Sequence, residues 1–268
     1  MRDVPFGKLA AAMLVLTVVI SVIMLIPDWN GEQGSTAADD IDRLFEISIV
    51  FSSFVFSVVM VLLGYSIWKW RALPGDESDG EPIHGNTRLE IAWTAIPTVI
   101  VIFLAALSWI VLDDIEAKES GGEPITIEVT GQQFTWTFVY PDEGIESEEL
   151  HVPVDQQIEV HLRALDVIHS FWVPEWRIKR DAVPGAPGAD IDDDFVVTPN
   201  EPGNYSLICT ELCGLGHSTM RTPVVVHESE QEYRRWVSEQ DPIPEEERPA
   251  GEGPEPPSGG QPQEATTS

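Results

Sequence analysis

Three long apolar segments dominate the first 112 residues of the chain. They cover residues 9–26, 47–68 and 91–112, and none of them contains a charged side chain. A helix needs about 20 such residues to cross a bilayer, whereas the buried helices of soluble proteins offer about 10 to 14. The second and third segments therefore predict a transmembrane helical hairpin within residues 39–112.

The first apolar segment has two interpretations. Arg2 and Lys8 precede it and small residues follow at 34–38, which is typical of a cleaved signal peptide, although the apolar core is long for one. Residues 1–38 are therefore either a signal peptide, which is slightly favoured, or an additional transmembrane helix.

Basic residues indicate how the hairpin is oriented. Lys69, Arg71 and Arg88 lie in the loop between the second and third apolar segments. Short loops rich in Lys and Arg stay in the cytoplasm, so the chain after Leu112 is expected on the outside. The sequence thus predicts a multi-pass protein of the plasma membrane with an extracytoplasmic C-terminal part.

Beyond Leu112 the pattern changes to short segments rich in Val, Ile, Thr and aromatic residues. They lie at residues 125–129, 134–140, 158–162, 194–197, 204–208 and 222–226, and turn residues separate them. This alternation predicts an antiparallel β-sandwich or barrel within residues 113–240, closed by a helix at 231–239. Residues 241–268, mostly Pro, Gly, Glu and Ser, predict a disordered acidic tail.

The charge of the chain limits its partners. It carries 45 Asp and Glu against 15 Lys and Arg, a formal net charge of -30. Phosphate backbones repel such a chain, so a nucleic-acid partner is not expected. Only four residues are Lys. An acidic, Lys-poor surface stays hydrated in strong salt, which suggests a halophilic source; a surface for docking a basic partner is the alternative.

The densest chemical signal lies in residues 209–220, Cys-Thr-Glu-Leu-Cys-Gly-Leu-Gly-His-Ser-Thr-Met. Thiols, an imidazole and a thioether are soft or borderline ligands, which favour copper over magnesium, calcium or manganese. A second His must come from elsewhere, and His169 in Asp-Val-Ile-His-Ser-Phe-Trp-Val-Pro is the best candidate. A disulfide between Cys209 and Cys213 is the alternative in an oxidising compartment, and their spacing alone leaves both interpretations open.

Other titratable residues fall outside this pattern. The remaining histidines are expected to be ordinary surface or strand residues: His84, His151, His161 and His227. The acidic run of Asp190, Asp192, Asp193 and Asp194 is expected to form a solvated face rather than a cation site.

These segments, in this order, resemble subunit II of the haem–copper cytochrome c oxidases from about residue 47 to residue 236. The shared motifs are Asp-Val-Ile-His-Ser-Phe-Trp-Val-Pro, Asp-Ala-Val-Pro-Gly and Cys-x-Glu-x-Cys-Gly-x-x-His-x-x-Met. The resemblance implies a membrane-anchored α plus all-β fold, in which the transmembrane helical hairpin precedes an external cupredoxin-like β-sandwich.

The resemblance also implies a set of ligands for a dinuclear copper A site. Cys209 and Cys213 would bridge both copper ions, while His169 and His217 would each bind one. The remaining weak ligands would be the thioether of Met220 and the backbone carbonyl of Glu211. The side chain of Glu211 would reach a magnesium ion shared with subunit I.

Two further matches imply roles outside the copper loop. Glu90, in Arg-Leu-Glu-Ile-Ala-Trp, aligns with the carboxylate at the mouth of a proton-uptake channel, although it also suits an ordinary helix N-terminus. Phe134 and Trp136 lie in the segment where electrons enter, and Phe134 replaces the usual Trp. Ala186 follows Asp-Ala-Val-Pro-Gly where many members have Arg, which weakens an inherited role for that position.

The family resemblance predicts an electron relay with no catalytic residue of its own. The chain would accept single electrons from a separate cytochrome c or small blue-copper protein and pass them to the haem of subunit I. That partner would reduce oxygen and pump protons. A quinol-oxidase subunit II without copper, a copper chaperone and a blue-copper carrier are the alternatives, and the complete ligand set disfavours them.

Overall fold

The computed structural model describes residues 4–72, 74–75, 84–117, 123–185 and 194–244. Three features predicted from sequence fall outside these residues: Ala186, the acids Asp190, Asp192 and Asp193, and the tail from residue 245 onward. The chain divides into two compact units. The helical unit comprises residues 1–119 with the segments 173–178 and 196–201, and the β unit comprises residues 120–172, 179–195 and 202–268.

Three long helices form most of the helical unit: α1 (Phe6–Leu25), α2 (Ala38–Lys69) and α3 (Thr87–Glu116). Each is long and apolar enough to cross a membrane. Both α2 and α3 extend past the apolar spans predicted at 47–68 and 91–112, because their polar ends are also helical. Asp39 and Asp40 occupy the first turn of α2, where the helix dipole favours acids. The side chain of Asn86 caps α3 by accepting the N–H groups of Arg88 and Leu89.

The strands form two five-stranded sheets with the orders β3-β2-β1-β5-β8 and β4-β10-β9-β6-β7. In chain order they are β1 (Ile125–Gln132), β2 (Thr135–Tyr140), β3 (Ile145–Ser147), β4 (Leu150–Pro153), β5 (Ile158–Ala164), β6 (His169–Val173), β7 (Ile178–Ala182), β8 (Phe195–Val197), β9 (Gly203–Cys209) and β10 (Arg221–His227). Helix α4 (Glu230–Ser238) follows, one residue earlier than the helix predicted at 231–239.

The expectation of a purely antiparallel arrangement was wrong for two strand pairs. β1 runs parallel to β5, and β4 runs parallel to β10. A parallel pair needs a long connection between its strands. The chain supplies one in each case, because three other strands separate β1 from β5 and five separate β4 from β10.

The alternation that predicted the strands corresponds to burial in the β unit. In β1 the side chains of Ile127 and Val129 are buried, and in β5 every second residue from Ile158 to Ala164 is buried. On β2 the buried side chains are those of Trp136, Phe138 and Tyr140, which again are every second residue. Because side chains of a strand alternate between faces, this pattern gives the sheet that contains these three strands one apolar face for the core. The predicted β-sandwich is confirmed.

Candidate metal centre

The Cys-rich loop joins two neighbouring strands. β9 ends at Cys209 and β10 begins at Arg221, directly after Met220. The two strands pair antiparallel, and the N–H of Cys209 donates to the carbonyl of Met220 over 3.1 Å. The first and last predicted ligands therefore lie side by side, and residues 210–219 form a loop closed at its base.

Another predicted ligand, His169, comes from β6. This strand lies beside β9 on the edge opposite β10. Phe171 of β6 pairs with Cys209 of β9, and His169 begins the same strand. This register brings Nδ1 of His169 to 3.8 Å from Sγ of Cys209. The distant histidine chosen from sequence thus reaches the loop through strand pairing.

The predicted ligand atoms form one cluster. Sγ of Cys209 lies 3.8 Å from Sγ of Cys213 and 3.3 Å from the carbonyl oxygen of Glu211. Sγ of Cys213 lies 3.6 Å from Nδ1 of His217 and 3.8 Å from Sδ of Met220. The side chains of Cys209, Cys213, His169 and Met220 are buried. Each thiol therefore has one imidazole and one weaker ligand beside it.

The separation of the sulfurs fits a metal site better than a disulfide. Both cysteines are free, and 3.8 Å far exceeds the S–S bond length of about 2.05 Å. Two sulfurs that each lie about 2.3 Å from a shared metal ion give a separation of this size. His169, Cys209 and Cys213 also form a compact group of possible metal ligands. Soft sulfur ligands with imidazole suit copper.

Burial makes the thiol of Cys213 difficult to ionise without a metal. Burial together with the neighbouring Cys209 raises the pKa of Cys213 to about 11. A metal ion that binds here must displace the thiol proton, so metal binding is coupled to proton release.

Asp166 orients the imidazole of His169. Its Oδ1 lies 2.8 Å from Nε2 of His169, and it also accepts the backbone N–H groups of Gln133 and Val167. Because an ionised carboxylate only accepts hydrogen bonds, Nε2 donates and the Nδ1 lone pair faces Cys209. Partial burial raises the pKa of Asp166, but these hydrogen bonds outweigh it and the pKa is lowered. The sequence analysis missed this residue, although a carboxylate three residues before a predicted ligand was a usable signal.

Phe134 and Trp136 occupy different environments. Phe134 is 38% exposed and lies so close to the ligand loop that a Cβ on Gly216 would sit 2.5 Å from its ring. This contact requires glycine at position 216. Trp136 is 1% exposed, with its ring edge-on to His169 at 6.0 Å. Phe134 is thus at the surface over the loop, whereas Trp136 is in the core behind it.

The remaining candidate residues lie elsewhere. Glu90 is exposed at the start of α3, where its carboxylate accepts the N–H of Asn86 over 3.1 Å. His84 is exposed, and His161 of β5 pairs with Asp194 at 2.7 Å. His151 of β4 and His227 of β10 are buried against each other. All four match the expectation of surface or strand histidines, but the sequence did not indicate that two of them form a buried pair.

Apolar membrane-length helices and a β-sandwich with a buried Cys, His and Met cluster define a membrane-anchored copper protein of the cupredoxin type. Two family descriptions match the chain: cytochrome c oxidase subunit II, transmembrane domain, over residues 31–111, and cytochrome c oxidase subunit II, periplasmic domain, over residues 145–229. The chain belongs to the cytochrome c oxidase subunit II family. The predicted fold class and family are thereby confirmed, as is a membrane protein with a periplasmic domain.

Individual relatives agree with the family assignment. The chain is 32% identical to cytochrome c oxidase subunit 2 of Synechocystis, over 87% of this chain and 83% of the relative. It is 33% identical to the subunit of the same name from Thermostichus vulcanus, over 80% of this chain and 81% of the relative. The crystal structure of the periplasmic domain of cytochrome oxidase subunit II from Bradyrhizobium japonicum aligns at 30% identity, with a TM-score of 0.39, over 46% of this chain and 94% of that domain.

Proposed function

We propose that this chain is the subunit of a haem–copper terminal oxidase that receives electrons at a dinuclear copper site. One observation carries the proposal: two buried thiols lie 3.8 Å apart, and each has its own imidazole and its own weak ligand. A mononuclear carrier has no need for the second thiol. The electrons would pass singly to the haem of subunit I, which reduces oxygen to water and pumps protons.

The ligand set for two copper ions follows from this cluster. Cys209 and Cys213 would bridge both ions, and Nδ1 of His169 and Nδ1 of His217 would bind one each. Met220 and the Glu211 carbonyl would complete the two positions. When bound, two copper ions that share both thiolates supply one-electron chemistry with little rearrangement, because the charge change is spread over many atoms.

The surrounding strands and side chains would hold the ligands in fixed positions and shield them from solvent. Strands β6, β9 and β10 fix His169, Cys209 and Met220, and the backbone hydrogen bond between Cys209 and Met220 closes the loop. Gln133 adds a second restraint, since its side-chain amide donates to the carbonyl of Cys213 over 2.5 Å. A ligand loop that is closed at its base and restrained in this way needs little reorganisation on electron transfer.

Electrons would enter at the surface marked by Phe134. Its partly exposed ring lies on the glycines of the ligand loop, so a docked donor would be separated from the copper ligands by one aromatic ring. Trp136 is buried and suits a packing role or an internal path past His169 better than a surface contact. The donor would be a separate cytochrome c or a small blue-copper protein.

Two finer roles and a cellular location also belong to the proposal. The exposed side chain of Glu211 would reach a magnesium ion at the boundary with subunit I, since its carbonyl is turned toward Cys209. Glu90 would mark the entrance for proton uptake from the cytoplasm. The protein would be a multi-pass protein of the plasma membrane with the copper domain on the extracytoplasmic side. The halophilic source stays a prediction.

Electron paramagnetic resonance of the full-length chain in detergent, loaded with copper, tests the proposal. The expected spectrum shows one unpaired electron shared equally by two copper nuclei, with two copper ions bound per chain. A spectrum from a single copper nucleus would favour a blue-copper carrier or a copper chaperone. Failure to retain copper, with Cys209 and Cys213 joined in a disulfide, would contradict the relay function altogether.

A further inference from the structure

Residues 31–38, which lead from the connection after α1 into the first residue of α2, form a defined arm in the helical unit. The N–H of Gly34 donates to the carbonyl of Glu175 over 2.8 Å, and the N–H of Thr36 donates to the carbonyl of Thr198 over 3.0 Å. Ser35 forms an antiparallel bridge with Pro199. The arm therefore adds short β pairing to the segment 196–201 and a hydrogen bond to the segment 173–178, both of which belong to the same unit.

Arg177 holds the beginning of this arm. Its side chain is 7% exposed, and Nε and Nη2 donate to the two carboxylate oxygens of Asp42 at 2.8 and 3.0 Å. Its other N–H groups donate to the carbonyls of Gly31, Glu32 and Pro174 at 2.9, 3.0 and 2.8 Å. All five guanidinium donors are thus satisfied, and two of their acceptors are arm carbonyls.

The backbone of Arg177 supports the same conclusion. It has a φ of 60°, in the left-handed region that disfavours residues with a side chain. Such a conformation persists where the surrounding contacts over-determine it. The contacts that do so here come from Asp42 and from the arm.

The small residues of the arm have a packing reason. Ser35, Ala37 and Ala38 are buried, and the hydroxyl of Ser35 donates to the carbonyl of Trp176 over 2.9 Å. In the sequence these same small residues suggested the cleavage site of a signal peptide that ends near residue 38. The structure gives them a different role, because all three are buried in the packing of the arm.

We propose that the arm is a permanent part of the mature protein, and that any removal of α1 cuts the chain before Gly31. In that event a signal peptidase would hydrolyse one peptide bond between Ile26 and Gly31, with water supplying the hydroxyl of the new carboxylate and a proton of the new amine. A cut within residues 32–38 would remove at least one carbonyl acceptor of the buried Arg177, and a cut after Ser35 would also remove the strand partner of Pro199. The family's transmembrane domain matches this chain from residue 31, which fits the same boundary.

N-terminal sequencing and intact mass of the full protein purified from membranes test the boundary directly. The expected first residue is Met1 or any residue up to Gly31. A mature chain that begins anywhere from Glu32 to Asp39 would overturn the proposal. This outcome is independent of copper binding, so it is distinguishable from a failure of the proposed electron-transfer function.

Amide hydrogen exchange on the full-length chain in detergent tests whether Arg177 holds the arm. In Arg177→Gln we expect the amides of Gly34 and Thr36 to exchange about tenfold faster or more, since local opening becomes easier. Arg177→Lys should give an intermediate exchange rate. A graded response of this kind would show that loss of the guanidinium contacts, rather than general misfolding, speeds the exchange. Arg43→Gln is the matched control, because Arg43 forms an exposed pair with Asp39 and should leave both amides unchanged. Unprotected amides in the wild type, or equal rates in Arg177→Gln, would contradict the assignment.

Discussion

Two clusters of buried histidine in the same β unit differ in what surrounds the imidazole. At the metal centre His169 donates from Nε2 to Asp166 and faces the thiol of Cys209 with Nδ1. In the second cluster Nδ1 of His151 lies 3.1 Å from Nε2 of His227. The carboxylate of Asp166 orients His169 toward soft ligands, whereas His151 and His227 hydrogen-bond to each other.

An aromatic ring packs against the second cluster, and two carboxylates lie beside it. Trp236 of α4 stacks on His151 with ring centres 4.1 Å apart and planes 7° apart. Glu149 lies 3.4 Å from Nε2 of His151, and Glu232 lies 4.0 Å from Nδ1 of His227. Burial lowers the pKa of both histidines and outweighs the nearby carboxylates. Burial alone therefore does not make a histidine a ligand. A carboxylate lies near one ring nitrogen in both clusters, but only at the metal centre does the other ring nitrogen face a thiol.

Removing a bridging thiol should break the metal cluster most completely. In Cys213→Ser we expect at most one copper ion per chain and a spectrum from a single copper nucleus. Electron transfer should fall by more than about 100-fold, beyond the loss typical of an outer-shell change. Metal analysis and electron paramagnetic resonance check this. Retention of a shared-electron spectrum would exclude Cys213 as a bridge.

Changing the carboxylate should show whether orientation of His169 matters. Asp166→Ala is expected to weaken copper binding by about 10- to 100-fold, because the imidazole loses its acceptor. Asp166→Asn retains an acceptor oxygen and should lose less. Asp181→Asn is the control, since Asp181 bonds to Ser170 and Lys179 instead. Competition titration with a copper chelator measures all three, and equal affinities for Asp166→Ala and wild type would refute the role.

Truncating the surface ring should separate electron acceptance from copper binding. In Phe134→Ala we expect the second-order rate of reduction by a donor protein to fall about tenfold, as for a central contact residue. The copper spectrum should be nearly unchanged. Stopped-flow reduction of the assembled oxidase by cytochrome c measures the rate. Tyr205→Phe, a change on β9 away from the ligand loop, provides a control that should react like the wild type.

The histidine pair predicts a pH dependence of stability. Because burial lowers the pKa of His151 and His227 from 6.5, the folded state binds fewer protons than the unfolded state below that value. Their contribution to stability is therefore present above about pH 6.5 and is lost as the pH falls. Thermal unfolding from pH 8 to 5 should show a declining midpoint.

Two variants identify the source of this decline. In His227→Gln the midpoint of thermal unfolding should depend less on pH below 6.5. The variant should also be less stable than the wild type at neutral pH. His84→Gln changes an exposed histidine and should keep the wild-type profile. A profile identical in wild type and His227→Gln would show that the pair is not responsible.

The smallest structural effect is expected at Glu90. Its carboxylate accepts the N–H of Asn86, and glutamine retains an acceptor, so Glu90→Gln should change stability by less than about 1 kcal/mol. If Glu90 also serves proton uptake, the assembled oxidase should pump or turn over more slowly in the same variant. Unchanged turnover and proton uptake would leave only the capping role.

The sequence determined the apolar helices, the strand-rich unit and a set of predicted metal ligands. Helices α2 and α3 follow from uninterrupted apolar runs, since length and hydropathy are local properties. Cys209, Cys213, His217 and Met220 were predictable because they lie within one loop. His169 was only the best candidate for a second histidine, because no local pattern shows which strand will lie beside the loop.

Tertiary structure decided the features that depend on residues distant in the sequence. The parallel pairing of β1 with β5, the contact of Phe134 with Gly216 and the hydrogen bonds of Arg177 to the arm join segments separated by tens of residues or more. No local periodicity encodes such contacts. They arise when strands align in register and bury their apolar faces, so that a buried Trp136, a neutral histidine pair and an oriented His169 all appear only after packing.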